Sequence, residues 1–212
     1  MAGDTSESAR LLQQAAGGDQ TSWGALLAQH EERLRRMIAF RLDQRLQGRI
    51  DPADVIQEVY VEAAQHLADY LRQPALPLFC WLRGIAGKKL LELHRYHLGT
   101  QMRAAGREIS LDRGLRPEAT SAALAAQLLG HATRPSEAAI RAELKLRLQE
   151  ALNTMDPLDR EVLALRHFEQ LSLAETALSL GIEEPAAAKR YIRALKKLKA
   201  TLASMPGGLD DA

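Results

Sequence analysis

Apolar residues recur along this chain every three or four positions, with charged residues between them, and no stretch shows the two-residue alternation of a strand. Leu26, Leu27, His30, Leu34, Met37 and Ile38 form one such stripe within residues 11–47, which read as helices. Thr21 or Ser22 stands at a capping position ahead of Trp23, after the break at Gly17-Gly18-Asp19. Asp51-Pro52 starts the next helix. Asp51 can cap it, and Pro52 suits a first turn whose N–H groups have no partner anyway. Val55, Ile56, Val59, Tyr60, Ala63 and Leu67 carry that helix to about Tyr70. Two prolines make Gln73–Pro77 a loop. A helix from Leu78 to Leu98 follows, with Trp81, Leu82, Ile85, Ala86, Leu90 and Leu93 as its stripe.

The period then fails. Gly99, Gly106, Gly114, Pro117, Gly130 and Pro135 punctuate residues 99–135, which read as an interdomain linker with room for a short helix at Ser121–Leu129. Helices resume at Ser136 and run to Asn153, followed by Leu158–Phe168, Ser172–Leu180 and Pro185–Ala203. The fold class is therefore all-α: two small helical domains, 11–98 and 136–205, joined by a flexible linker.

The last segments carry the clearest chemistry. A short amphipathic helix, a glycine (Gly181) suited to a left-handed turn, and a longer helix make the helix-turn-helix pattern. On the longer helix Ala187, Tyr191, Ala194, Leu195, Leu198 and Leu202 share one side. Lys189, Arg193 and Lys197 centre on the other, flanked by Arg190 and Lys196. Between Ala186 and Leu202 stand six basic residues and no acidic one. A basic face alone fits a solvated helix equally well. The preceding helix and the glycine turn make it a candidate for the major groove.

Net charge is +1 over 212 residues, so any nucleic-acid signal lies in local patches. One cysteine, Cys80, excludes an internal disulfide, fits a reducing compartment and reads as a small core residue. No signal-peptide core and no membrane-length apolar run is present, so a cytoplasmic protein without membrane association is expected. Phosphate-loop, dinucleotide-binding and nucleophile-elbow motifs are absent. His94 and His97 lack companion ligands and read as polar surface. Neither catalysis nor a cofactor or metal is expected.

Leu152–Phe168, continuing through the helix-turn-helix, resembles region 4 of sigma-70 family factors, particularly the extracytoplasmic-function group. Gly18-Asp19-Gln-Thr-Ser-Trp23-Gly-Ala-Leu26-Leu27-Ala-Gln-His30 resembles that group's opening motif. Asp51-Pro-Ala-Asp54-Val55-Ile56-Gln57-Glu58-Val59-Tyr60 is similar to its region 2.2, and Phe79-Cys-Trp81-Leu82-Arg-Gly-Ile85-Ala86 to F-x-x-W-L-x-x-I-A of region 2.3.

The resemblance implies a sigma factor that is monomeric when free. Its implied partners are core RNA polymerase (the largest subunit's clamp helices, and the flap), promoter DNA and an anti-sigma factor. It assigns polymerase binding to Asp51, Asp54, Gln57, Glu58 and Glu62. It assigns the −10 element and strand opening to Trp81, Arg83, Lys88, Lys89 and Arg95, with Arg103 and Arg107 beyond, and makes the Gln73–Leu78 loop a candidate pocket wall. The −35 element falls to Ala186, Lys189, Arg190, Arg193, Lys196 and Lys197. The chain departs from the pattern at Lys88, where the family has Asn, at Glu92, where it has Asp, and at Ala186 and Ala187, where Thr and Val are common. The rival reading is a two-domain helix-turn-helix regulator that does not bind polymerase. Such a regulator has no reason to carry the region 2 motifs.

Overall fold

The computed structural model describes residues 2–43, 45–104, 119–129 and 138–203. The chain forms two compact units, Met1–Pro117 and Glu118–Ala212. Among the described residues every named element is helical, apart from an isolated bridge between Gln47 and Ile50.

In the first unit α1 (Ala2–Ala16) lays Leu11 and Ala15 against α2 (Gln20–Arg41). Gly18 makes the reversal at φ 93°, a conformation that costs a side-chain-bearing residue energy. The cap of α2 is Asp19 rather than Thr21 or Ser22. Its carboxylate accepts the Thr21 N–H at 3.0 Å and the Ser22 hydroxyl at 2.5 Å. These bonds, the one from Ser22 foremost, hold its pKa below the usual carboxylate range. An ionised cap also meets the positive end of the helix dipole, which a hydroxyl does not.

Asp51 caps α3 (Pro52–Arg72) as expected, accepting the Ala53 N–H at 2.8 Å. Val55, Ile56, Val59 and Ala63 point inward, opposite Phe79, Leu82, Ile85, Ala86 and Leu90 of α4 (Leu78–Ala104). Each large aliphatic so buried contributes about 1.5–3 kcal/mol. Gly99 does not end α4, because one interior glycine costs only about 1 kcal/mol relative to alanine. Cys80 is buried, as read. His94 is not polar surface: it is buried, and its Nε2 accepts the Asp43 N–H at 3.2 Å, pinning the chain just after α2. Burial lowers the His94 pKa, so the neutral imidazole needed as acceptor is the favoured form. His97 is exposed.

In the second unit α5 (Ser121–Leu129) packs on α6 (Ala138–Asn153) and buries Leu124 and Ala125. Just ahead of α5 the Ala119 N–H donates to Glu161, which lies beyond α6, at 2.9 Å. Residues 119–129 therefore belong to this unit, and the expected linker is narrower than 99–135. Two apolar side chains buried against neighbouring helices outweigh the ordering entropy that a loose tether would keep. Ser136, where the helices are expected to resume, and Arg107 lie outside the described residues.

Asp156 caps α7 (Pro157–Leu163), accepting the Leu158 N–H at 2.8 Å. The Arg160 guanidinium closes the end of α6 by donating to the carbonyls of Leu152 (3.1 Å) and Met155 (2.8 Å). The single helix expected over Leu158–Phe168 is interrupted, since residues 164–168 form a π-helical turn in which the Glu169 N–H reaches back to the Ala164 carbonyl. A full capping box, Ser172 with Glu175, opens α8 (Leu173–Leu180), and Gly181 closes it at φ 65°. α9 (Glu184–Ala203) completes the unit, with Ala187, Ala194 and Leu198 buried.

Candidate nucleic-acid and protein interfaces

The helical periods that build each core also decide which charges face outward. On α3 the inward set Val55, Ile56, Val59 and Ala63 leaves Asp54, Gln57 and Glu58 exposed within about one turn of one another, with Asp51 exposed at the helix start. Glu62 differs. It receives the Lys89 ammonium at 3.1 Å, so both charges are partly spent within the unit, and Lys89 is not a free phosphate ligand. The Glu62 hydrogen bond raises the Lys89 pKa, so this lysine stays charged. Tyr60 braces the acidic helix from behind by donating its hydroxyl to the Leu27 carbonyl at 3.0 Å. Burial pushes that phenol up to about 12.

The α4 set divides. Lys88 and Arg95 are exposed. Arg83 is fully buried and cannot reach a phosphate; at that position the inward-facing period of α4 prevails over the residue's charge. Trp81 is half-buried, its ring stacked on Tyr70 with 4.4 Å between centroids. The Tyr70 hydroxyl in turn holds the Leu76 carbonyl at 3.0 Å, so this stack fixes the Gln73–Leu78 loop. Phe79 precedes Trp81 by two residues, one fewer than in the region 2.3 pattern, and is buried beneath the Arg33 guanidinium at 3.6 Å. The side chain of Arg103 lies outside the described residues.

On α9 Ala186, Lys189, Arg193, Lys196 and Lys197 are exposed on the side opposite the buried seam. Arg190 is turned inward to Asp159 and Asp156 of α7. Tyr191 anchors the helix at its flank, its hydroxyl 3.0 Å from His167 Nε2. Burial, and then the charge of Arg166, lower the His167 pKa.

Two residues outside the sequence reading stand on these surfaces. Val61, 60% exposed, lies on the side of α3 that carries Asp54, Gln57 and Glu58, and Tyr96, 85% exposed, adjoins Arg95. Both fall out of phase with their helix's apolar stripe, the one signal by which sequence could have found them.

The geometry agrees with comparison to known proteins. Residues 145–198 match the family model "Sigma-70, region 4". The chain is 29% identical over 189 residues to the ECF RNA polymerase sigma factor SigD of Mycobacterium tuberculosis, covering 89% of this chain and 81% of that one. It is 29% identical over 194 residues to the RNA polymerase sigma factor CnrH of Cupriavidus metallidurans, covering 91% and 92%. Over most of its length the chain is similar to sigma factors, the ECF RNA polymerase sigma factor SigD among them. The solved structure of CnrH with the cytosolic domain of CnrY superimposes with TM-score 0.54 and 26% identity, over 94% of this chain and 99% of that one. A Bartonella quintana sigma factor, RpoE, solved with the anti-sigma factor NepR, shares the fold at TM-score 0.50 and 16% identity. Arg160 of the region 4 motif serves the fold by capping α6, and of the basic residues of α9 Lys189, Arg193, Lys196 and Lys197 are exposed. Among the described residues no helix is long and apolar enough to cross a membrane, and no cluster of metal-ligating side chains occurs.

Proposed function

We propose that this chain is a sigma factor that binds core RNA polymerase through the exposed acidic side of α3 and reads the −35 duplex with α9, while α4 and the Gln73–Leu78 loop handle the −10 region. Its action is recruitment and promoter recognition by binding, in the cytoplasm, without catalysis. The observation that carries the reading is α9 itself: one side packed on α7 and α8, the other presenting Lys189, Arg193, Lys196 and Lys197 with no acidic neighbour from 186 to 202. Such a helix neutralises phosphates while the unit behind it fixes its angle.

Asp54, Gln57 and Glu58 suit a basic surface such as the polymerase clamp helices, where complementary charge sets register and on-rate. Similarity to CnrH, solved with the cytosolic domain of CnrY, supports an anti-sigma protein as a further partner. The test is co-elution with core polymerase. Asp54→Arg or Glu58→Arg should weaken assembly by about tenfold or more, a loss of about 1.4 kcal/mol. Arg193→Ala should leave assembly intact and weaken upstream promoter binding. A DNA-binding dimer indifferent to core polymerase would overturn the proposal.

A further inference from the structure

The six basic residues of α9 are not equivalent. Arg190 sends Nη1 to Asp159 Oδ1 at 3.0 Å and lies 3.5 Å from Asp156 Oδ1. The Asp159 side chain is 3% exposed and that of Arg190 27%, so the bond lies at the buried junction of α9 with α7. Asp156 is the N-cap of α7 and is bonded to the Leu158 N–H as well, so the contact reaches the first turn of that helix. Lys189, Arg193, Lys196 and Lys197, by contrast, are exposed, and the salt bridges formed among the described residues include none of them.

We infer that Arg190 is a positioning residue: it locks the recognition helix to α7 and withholds its own charge from DNA phosphates. A buried carboxylate requires a paired cation, and the cation that satisfies it cannot also release counterions from a duplex. The angle at which α9 presents its exposed residues is then set partly by this ion pair. Specificity should depend on it even though it contributes nothing to the electrostatic part of affinity. The inference rests on the assignment of α9 to the −35 duplex.

The experiment uses holoenzyme assembled from core polymerase and the full chain. Binding is measured as a function of salt on a promoter duplex enriched by the wild-type holoenzyme from a random pool, and on its scrambled counterpart. Each lost phosphate contact lowers the slope of log K against log salt by about 0.9. Arg193→Gln and Lys197→Gln should each lower it by about that amount. Arg190→Gln should leave the slope unchanged while reducing preference for the enriched over the scrambled duplex by about tenfold. Arg190→Lys, which keeps a cation for Asp159, should restore part of that preference, and circular dichroism of each variant verifies that the unit is folded.

A slope drop of about 0.9 for Arg190→Gln would overturn the inference and make Arg190 an ordinary phosphate ligand. An unchanged slope with unchanged preference would overturn the positioning role. If Arg193→Gln and Lys197→Gln also leave the slope untouched, the groove assignment of α9 fails, and the inference with it.

Discussion

Gly181→Ala tests the turn on which the helix-turn-helix depends. The residue sits at φ 65°, ψ 36°, and closes α8 with paired bonds: its N–H reaches the Leu178 carbonyl at 3.4 Å and the Ile182 N–H reaches Ala177 at 3.1 Å. A Cβ built there meets nothing within 4 Å, so substitution causes no clash and the cost is purely conformational. An L-residue in the left-handed region costs about 1–2 kcal/mol. Loss of glycine's freedom in the unfolded chain returns about 0.4–1 kcal/mol. The net destabilisation is about 1 kcal/mol, roughly a fivefold change in the ratio of folded to unfolded molecules. With a urea dependence of about 1–1.5 kcal/mol per molar for a unit of this size, the midpoint should fall by roughly 0.7–1 M.

Both tryptophans, Trp23 and Trp81, lie in the first unit, which allows the two units to be followed separately. The loss should appear in helical circular dichroism and leave tryptophan fluorescence unmoved. Gly181→Asn should lose less, because asparagine tolerates this conformation better. An unshifted dichroism transition, or a fluorescence transition that moves with it, would refute the reasoning.

Two further outcomes are expected. Arg83→Ala should lower the stability of the first unit by about 3 kcal/mol, as for other large buried side chains, with fluorescence-monitored unfolding as the measurement; equal stability with weaker DNA binding would return Arg83 to the interface. His94 has a folded-state pKa below its ordinary value of 6.5, so the unfolded chain binds the proton more readily. Its contribution to stability is complete above about pH 6.5 and is lost as the pH falls through the depressed value. In a urea series over that range His94→Gln should flatten the first unit's decline relative to wild type, and parallel curves would show that His94 is not responsible.

Local sequence determined the elements of this protein. Asp51-Pro52, Asp156-Pro157 and Ser172 with Glu175 start helices by bonds that span only two or three residues, and Gly181 ends one through its own backbone freedom, so each is legible without the rest of the chain. The apolar periods of α3 and α9 likewise fixed which charges face outward, among them Asp54, Glu58, Arg193 and Lys197.

Which of those charges remain available was decided by contacts between residues far apart in sequence. Lys89 meets Glu62 across two helices, Arg190 meets Asp159 31 residues away, and His94 reaches Asp43 across 51. Arg83 and α5 make the same point through burial, the one drawn into a core despite its charge and the other gathered into a unit from what reads as linker. Periodicity assigns a side chain to a side of its own helix. It does not say which residue of another helix stands opposite, and for a charge that neighbour decides between holding the fold and binding a partner.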